Sequence, residues 1–256
     1  MIFDIYVMIF LFILGLFLSE FLIVIGLKFP LKNKPIYNIC DCCNDKYNWY
    51  EMIPLISYFL SKGKCNYCHN KLNLWYIVLE FITAILFSFS YVIYGFSYEM
   101  IAFLIILSLL VLIFISDFKY YIILDEALII SGLLILLFKL LFFGFRTFLI
   151  SVVSGLILFV FIFLIKKIGD KFFGQESLGG GDVKLVAIFG FTLGVRLSIV
   201  SLVLGAMLAF PFALYASFTR TEREIPFGPF LISALLFVFV FMEPVKGVLS
   251  IIFKVF

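Results

Sequence analysis

The sequence predicts an all-α, polytopic membrane protein of about eight transmembrane helices. Of its 256 residues, 65% are apolar and only 14% are charged, and the mean hydropathy is +1.23. A soluble domain of this size has about 45–50% apolar and about 25% charged residues. Apolar runs of about 20 residues, the length that spans a bilayer as a helix, recur along the chain. These observations exclude an ordinary soluble protein and favour a helix bundle in lipid.

Eight apolar segments define the predicted helices, and one polar loop interrupts them. The first segment has no basic residues before it and no small-residue cleavage site after it. It is therefore predicted to be a retained helix, the alternative being a cleaved signal peptide. The predicted organisation is a first helix at 1–27, a loop domain at 28–74 and a membrane domain at 75–256. The segments lie at about 5–27, 75–95, 99–116, 122–143, 147–165, 183–195, 197–218 and 229–252.

Lysine and arginine are distributed unevenly between the two predicted sides of the membrane. With the 28–74 loop inside, fourteen of the 19 basic residues lie inside and five lie outside. Cytoplasmic loops carry this excess of positive charge in multi-pass proteins. The pattern predicts that the 28–74 loop faces the cytoplasm and that both termini face away from it. The five outside residues are Lys139, Arg146, Arg196, Lys246 and Lys254.

All cysteines lie in the polar loop, and four of them form two C-x-x-C pairs. Cys40 and Cys43 make the first pair, and Cys65 and Cys68 make the second, with 21 residues between the pairs. Two such pairs supply four thiolates for a tetrahedral, structural Zn²⁺. Disulfides do not suit a cytoplasmic loop, and a single redox C-x-x-C would need only one pair. The sequence therefore predicts a small zinc-binding domain that the metal holds together. Cys42 is interpreted as a spare thiol.

Three aspartates lie at the predicted cytoplasmic edge of the bilayer. Asp117 ends the third segment, Asp125 begins the fourth, and Asp182 precedes the sixth. A carboxylate at this depth is costly, so it is either paired or functional. Two adjacent carboxylates share one proton and supply both a base that activates water and an acid that protonates a leaving amine. The alternative for each is a solvated pair with Lys119 or Lys184. The further intramembrane acids Glu20 and Glu80 carry no assigned role.

A glycine run, Gly179 to Gly181, directly precedes Asp182. Glycines allow close approach of the backbone, so this run is interpreted as an extended edge that holds an unwound substrate. A glycine-aspartate string is also an ordinary loop and helix cap, which leaves a purely structural interpretation open.

In combination these residues resemble the type IV prepilin peptidase family of GxGD membrane aspartyl proteases. The segment 179–185 is similar to its G-x-G-D-x-K-L motif, and Asp117 to Asp125 has its D-x₇-D spacing. Residues 225–230 read I-P-F-G-P-F, as in the family, and the cysteine pairs bracket the family-like segments 53–58 and 63–65.

The resemblance implies an aspartic endopeptidase with Asp117 and Asp182 as the catalytic pair. Asp125, Gly179, Gly181 and Lys184 would be supporting residues. Type IV prepilin or pseudopilin precursors would be cut on the cytoplasmic side, and many family members also methylate the new amine with S-adenosylmethionine. No nucleic-acid partner is expected.

Three departures from the family pattern concern its finer features. Leu124 stands where the family has a proline before the second aspartate, and residues 19–23 read S-E-F-L-I where it has a G-S-F-L-N-type stretch. Lys28 replaces the usual arginine. The alternatives are a peptidase without methyltransferase activity, or a zinc-stapled transporter or scaffold with no enzymatic activity.

Overall fold

The computed structural model describes residues 2–30, 61–65, 68–69, 74–174, 176–218 and 225–255, without the side chains of residues 173, 217 and 251–255. All regular structure in these ranges is helical. The helices are α1 (Ile2–Lys28), α2 (Leu74–Tyr94), α3 (Tyr98–Tyr120), α4 (Asp125–Phe173), α5 (Gly180–Phe218), α6 (Gly228–Val240) and α7 (Met242–Val255). Five of them are long and apolar enough to span a membrane, and α6 with α7 forms a sixth, bent candidate. The prediction of an all-helical membrane protein is therefore confirmed in its coarse form, whereas the count of eight spans stays a prediction.

The chain forms two compact units, Met1–Met100 and Ile101–Phe256. In the first unit α1 packs against α2. A side chain at Gly15 would come within 2.9 Å of the Ala84 backbone, so a residue without Cβ is required for this close approach. The Tyr91 hydroxyl donates a hydrogen bond to Asp4 Oδ1 at 3.0 Å and connects the same two helices.

Helix α4 folds back on itself at Gly144, which has a left-handed φ of 80°. Lys139 Nζ donates to Ser151 Oγ at 2.9 Å, although twelve residues of straight helix would separate their backbones by about 18 Å. The same lysine donates to the Thr192 carbonyl at 3.0 Å, which links α4 to α5. Helix α5 is likewise interrupted at Gly194, with φ 72°. These breaks lie between the predicted segments 122–143 and 147–165, and at the end of the predicted segment 183–195.

The second unit is built around α5, which packs against both α4 and α6. Its fully buried core includes Ile113 of α3, Phe189 of α5 and Leu235 of α6. Many large apolar side chains face outward, such as Leu133 and Leu141 of α4, which are 62% and 67% exposed. Water would not tolerate so much exposed apolar surface, so these faces suit lipid.

The prediction of one helix over 229–252 is wrong, because α6 and α7 meet at an angle of 82°. Helix α7 is amphipathic, with Glu243, Lys246 and Ser250 along one side. A helix with a polar side is more stable along the membrane surface than across the hydrocarbon core, which explains the bend.

Candidate active site

Asp117 lies in the last turn of α3 and is buried, with 6% of its surface exposed. Its Oδ2 accepts a hydrogen bond at 3.0 Å from the backbone N–H of Gly228, the first residue of α6. Phe227, the N-cap of α6, makes no side-chain cap hydrogen bond. Since the first N–H groups of a helix lack internal partners and attract negative charge, Asp117 caps α6 from another helix.

Asp182 lies in the first turn of α5 and is 8% exposed. Its Oδ2 lies against Gly179, where a Cβ would be only 2.8 Å away. Among the described residues, its Oδ1 is buried and has no hydrogen-bond partner. A buried carboxyl oxygen without a partner is costly in a protein interior, and such an oxygen is available to a substrate or a water molecule.

Ile123, in the short connection between α3 and α4, brings these helix ends together. A Cβ at Gly181 would be 2.8 Å from Ile123 Cβ, and a Cβ at Gly228 would be 2.9 Å from Ile123 Cδ1. The starts of α5 and α6 therefore contact the same side chain from two directions. Asp117 lies close enough to act electrostatically on Asp182.

The segment before the glycine run is attached to the end of α4. Asp170 Oδ1 accepts hydrogen bonds from the Ser177 N–H at 2.6 Å and from the Ser177 hydroxyl at 2.8 Å. Lys166 Nζ donates to the Leu178 carbonyl at 2.5 Å and forms an ion pair with Glu176. These contacts fix the backbone that enters Gly179 and hence the position of Asp182. Sequence reasoning did not single out these residues, because the contacts depend on the folding back of the loop onto α4.

The third predicted aspartate, Asp125, has a different environment. It forms an ion pair with Lys184 Nζ at 2.5 Å, and both side chains are about half exposed (51% and 49%). The pair lies at one wall of a cavity of about 360 Å³ whose other lining residues are apolar and include Leu128, Phe159 and Phe191. Asp125 is thus an exposed partner of Lys184, in contrast to the buried Asp117 and Asp182.

The interpretation of Gly179 to Gly181 as an extended edge is wrong for this structure. Gly180 and Gly181 belong to the first turn of α5, and the Val183 N–H donates to the Gly179 carbonyl at 3.4 Å. The glycines serve close packing instead, since Gly181 faces Ile123 and Gly179 faces the Asp182 carboxylate.

Two models of protein families match the chain. Residues 104–214 match the model of the Type IV leader peptidase family, and residues 13–94 match that of the Bacterial Peptidase A24 N-terminal domain. The chain belongs to the type IV leader peptidase family. This is a family of proteases, and the match together with the several apolar helices of this chain indicates a multi-pass inner-membrane protein.

Relatives of this type IV leader peptidase are found in several bacteria. The prepilin leader peptidase/N-methyltransferase of Bacillus subtilis is 28% identical over 227 residues, which cover 86% of this chain and 88% of the relative. The protein of the same name from Vibrio cholerae is 29% identical over 254 residues, covering 89% and 92%. That from Myxococcus xanthus is 32% identical over 193 residues, which are 73% of this chain but 56% of the relative. No solved structure matches the chain significantly.

The two family matches divide the peptidase as its compact units do. The N-terminal match falls in the first unit, and the longer match, which contains Asp117 and Asp182, falls in the second. Gly228 lies beyond both matched segments, yet its N–H is the one that contacts Asp117. The I-P-F-G-P-F motif in the sequence signalled this region but not the contact.

The cysteine pairs of the peptidase are described only in part. Cys65 is buried and Cys68 is half-buried. The His69 N–H donates a hydrogen bond to the Cys65 carbonyl at 2.9 Å. Cys40, Cys42 and Cys43 lie outside the described residues, and within the described ranges no three metal-binding side chains cluster. The four-cysteine zinc site therefore stays a prediction.

The glycine run offers a sharp test of the packing at Asp182. We expect Gly181→Ala to lower peptidase activity at least tenfold and stability by about 1–3 kcal/mol, because the new Cβ overlaps Ile123 Cβ, which is fixed to the backbone. Gly180→Ala is the matched control, since a Cβ there meets nothing within 4 Å, and it should keep activity within about twofold of the parent. Peptidase assays and thermal unfolding measure both effects. Equal losses in the two variants would contradict this packing.

Proposed function

We propose that this protein is a membrane aspartyl endopeptidase that removes the leader peptide from type IV prepilin-like precursors. The observation that carries the proposal is the pair of buried aspartates, Asp117 and Asp182, at adjoining helix ends. The names of the relatives, prepilin leader peptidase/N-methyltransferase, supply the substrate class.

The chemistry follows from the pairing of the two carboxyl groups. Two carboxyls that come together around a substrate share one proton, which gives one acid and one base at the same place. The base takes a proton from water as its oxygen attacks the scissile carbonyl, and the acid gives a proton to the leaving amine as the C–N bond breaks. The Gly228 N–H holds Asp117 in a fixed orientation. The partnerless Oδ1 of Asp182 is available for the water or the substrate.

Cleavage of a precursor in detergent tests this function. The purified protein is incubated with candidate pilin, pseudopilin and competence-pilin precursors, with and without S-adenosylmethionine, and the mass of the product's N-terminus is determined. A free mature N-terminus supports the peptidase, and an additional methyl group that depends on S-adenosylmethionine supports the second activity. Intact precursors in every case would contradict the proposal.

Methylation of the new amine is the second proposed activity, with S-adenosylmethionine as the methyl donor. It is supported by the names of the relatives, and the first unit matches the family's N-terminal domain. Among the described residues, no contact or cavity indicates where the methyl donor would bind. The sequence departures in α1, such as Glu20, keep a peptidase without methylation as the alternative.

The cytoplasmic orientation of the aspartates is supported by the distribution of basic residues. We expect membrane-impermeant thiol reagents added to intact cells to leave Cys40, Cys43, Cys65 and Cys68 unlabelled, whereas lysed cells should show labelling once zinc is chelated. Strong labelling of intact cells would reverse the orientation and move the active site to the other face.

Structural zinc in the polar loop is the remaining proposed feature. The spacing of the two C-x-x-C pairs supports a four-thiolate shell, and the role of the metal would be to stabilise the loop. We expect Cys65→Ser and Cys40→Ser to lower the zinc content from about one ion per chain and to lower the yield of folded protein. Cys42→Ser is the control, because Cys42 belongs to neither pair. Undiminished zinc in a Cys40→Ser, Cys65→Ser double variant would contradict the site.

A further inference from the structure

A second cavity, of about 540 Å³, lies in the second unit between the two breaks and α7. One wall is formed by Ile150 and Ser154 of α4, after the Gly144 break, and another by Arg196 and Leu197, after the Gly194 break. Lys246 and Leu249 of α7 complete it. Its size is within the range of sites that bind small molecules.

This cavity lies at the opposite end of the helices from the aspartates. Gly194 follows Asp182 by twelve residues, or about 18 Å along a helix. Helix α6 starts beside Asp117 at Gly228 and runs for 13 residues before α7 turns away by 82°, which is about 20 Å. The cavity therefore faces the other leaflet of the bilayer and is separate from the proposed active site.

Two cations line this cavity with little to neutralise them. Arg196 is exposed and forms no ion pair with any described residue. Lys246 Nζ pairs with Glu243 at 2.7 Å, but both side chains are exposed (50% and 82%), and such surface pairs are weak. Arg196, Lys246 and Glu243 together carry one net positive charge. The other residues that line the cavity are apolar or carry a hydroxyl group.

Helix α7 has the character of a helix that lies at the membrane surface. Its polar residues Glu243, Lys246 and Ser250 follow one side, while Val245 and Leu249 lie on the other and are half-buried. Amphipathic helices of this kind lie in the headgroup region. Lys246 is thereby held at the depth of lipid phosphates, next to the apolar wall that Leu249 shares with Ile150 and Leu197.

We infer that this cavity binds an anionic phospholipid. The Arg196 guanidinium and the Lys246 ammonium contact the phosphate, and an acyl chain lies along Ile150, Leu197 and Leu249. An arginine presents paired N–H donors that match phosphate oxygens, and an anionic headgroup would neutralise the net positive charge at this cavity. The bound lipid connects α4, α5 and α7 at the end of the unit that is remote from the aspartates.

Lipid binding by the full-length protein in mild detergent tests this inference. Native mass spectrometry measures binding of phosphatidylglycerol and phosphatidylcholine to the parent, Arg196→Gln, Lys246→Gln and Arg146→Gln. Arg146 is the matched control, because it is exposed near the Gly144 break but does not line the cavity. We expect each cavity substitution to weaken phosphatidylglycerol binding about fivefold, with the Arg146 variant within twofold of the parent. Size-exclusion profiles and melting temperatures check that the variants are folded.

Four outcomes would overturn the inference. The first is unchanged phosphatidylglycerol binding in the Arg196→Gln, Lys246→Gln double variant, and the second is an equal loss in Arg146→Gln. The third is displacement of the lipid by inorganic phosphate or glycerol 3-phosphate at equal concentration, which would assign the cavity to a soluble phosphate. Equal affinity for phosphatidylcholine would also contradict the role of the anionic headgroup.

Discussion

Replacement of Asp117 or Asp182 by asparagine is expected to lower the rate of precursor cleavage by about a thousandfold or more, because hydrolysis by a carboxyl pair needs both an acid and a base. Asparagine keeps the shape of the side chain, and at position 117 its amide oxygen still accepts the Gly228 N–H. The substitutions therefore remove the proton transfer while preserving the cap of α6. Initial rates of cleavage in detergent, with melting temperatures as a control for folding, measure the effect.

Asp125→Asn is the comparison for these two variants. Asp125 is half exposed and paired with Lys184, and an exposed ion pair contributes only about 0–1 kcal/mol to stability. We expect a loss of cleavage of less than about tenfold, corresponding to less than about 1.4 kcal/mol. A loss in Asp125→Asn as large as in Asp182→Asn would mean that the buried pair was assigned wrongly.

Gly228→Ala is expected to impair the enzyme strongly as well, although it removes no group that takes part in proton transfer. The new Cβ would be 3.0 Å from Asp117 Oδ2, 2.9 Å from Ile123 Cδ1 and 3.0 Å from Ile113 Cγ2. Because these atoms surround the position, α6 must move and the hydrogen bond to Asp117 must lengthen. We expect cleavage to fall by about a hundredfold, as small displacements in an active site can do, and stability to fall by about 1–3 kcal/mol.

Two further variants separate packing from catalysis at this position. Gly247→Ala in α7 is the control, since a Cβ there meets nothing within 4 Å, and it should leave cleavage unchanged. Ile123→Val, combined with Gly228→Ala, removes the Ile123 Cδ1 contact but not the contact with Asp117. It should recover part of the lost stability and little of the lost rate. Full activity in Gly228→Ala alone would show that the α6 cap does not position Asp117.

The hydropathy pattern predicted the all-helical membrane character because apolar length is a local property of the sequence. The interruptions at Gly144 and Gly194 also agree with the limits of the predicted segments. The bend at Phe241 was missed, because residues 229–252 are apolar enough for one span. The polar side of α7 becomes apparent only when Glu243, Lys246 and Ser250 are placed on a helix.

The sequence indicates which residue types form the candidate site, but it does not indicate which side chains contact one another there. The cost of carboxyls at the edge of a membrane indicates Asp117, Asp125 and Asp182, and the resemblance to the family selects Asp117 and Asp182 as the pair. Ile123 gave no signal, since one isoleucine in an apolar sequence is unremarkable, and its importance arises from contacts with residues far along the chain. The glycine run was misinterpreted because the same residues serve an extended edge and a tightly packed helix start equally well.

The most direct test of a shared catalytic role is the rate of precursor cleavage by the Asp117→Asn, Asp182→Asn double variant, compared with each single variant. Residues that act as one unit lose most of their effect with the first substitution. The double variant should therefore retain the same residual rate as either single variant, within about threefold, as expected for strongly non-additive pairs. The assignment of Asp117 and Asp182 as the catalytic pair would be contradicted by a double variant whose loss of rate equals the product of the two single losses. It would also be contradicted by a single variant that cleaves near the parent rate.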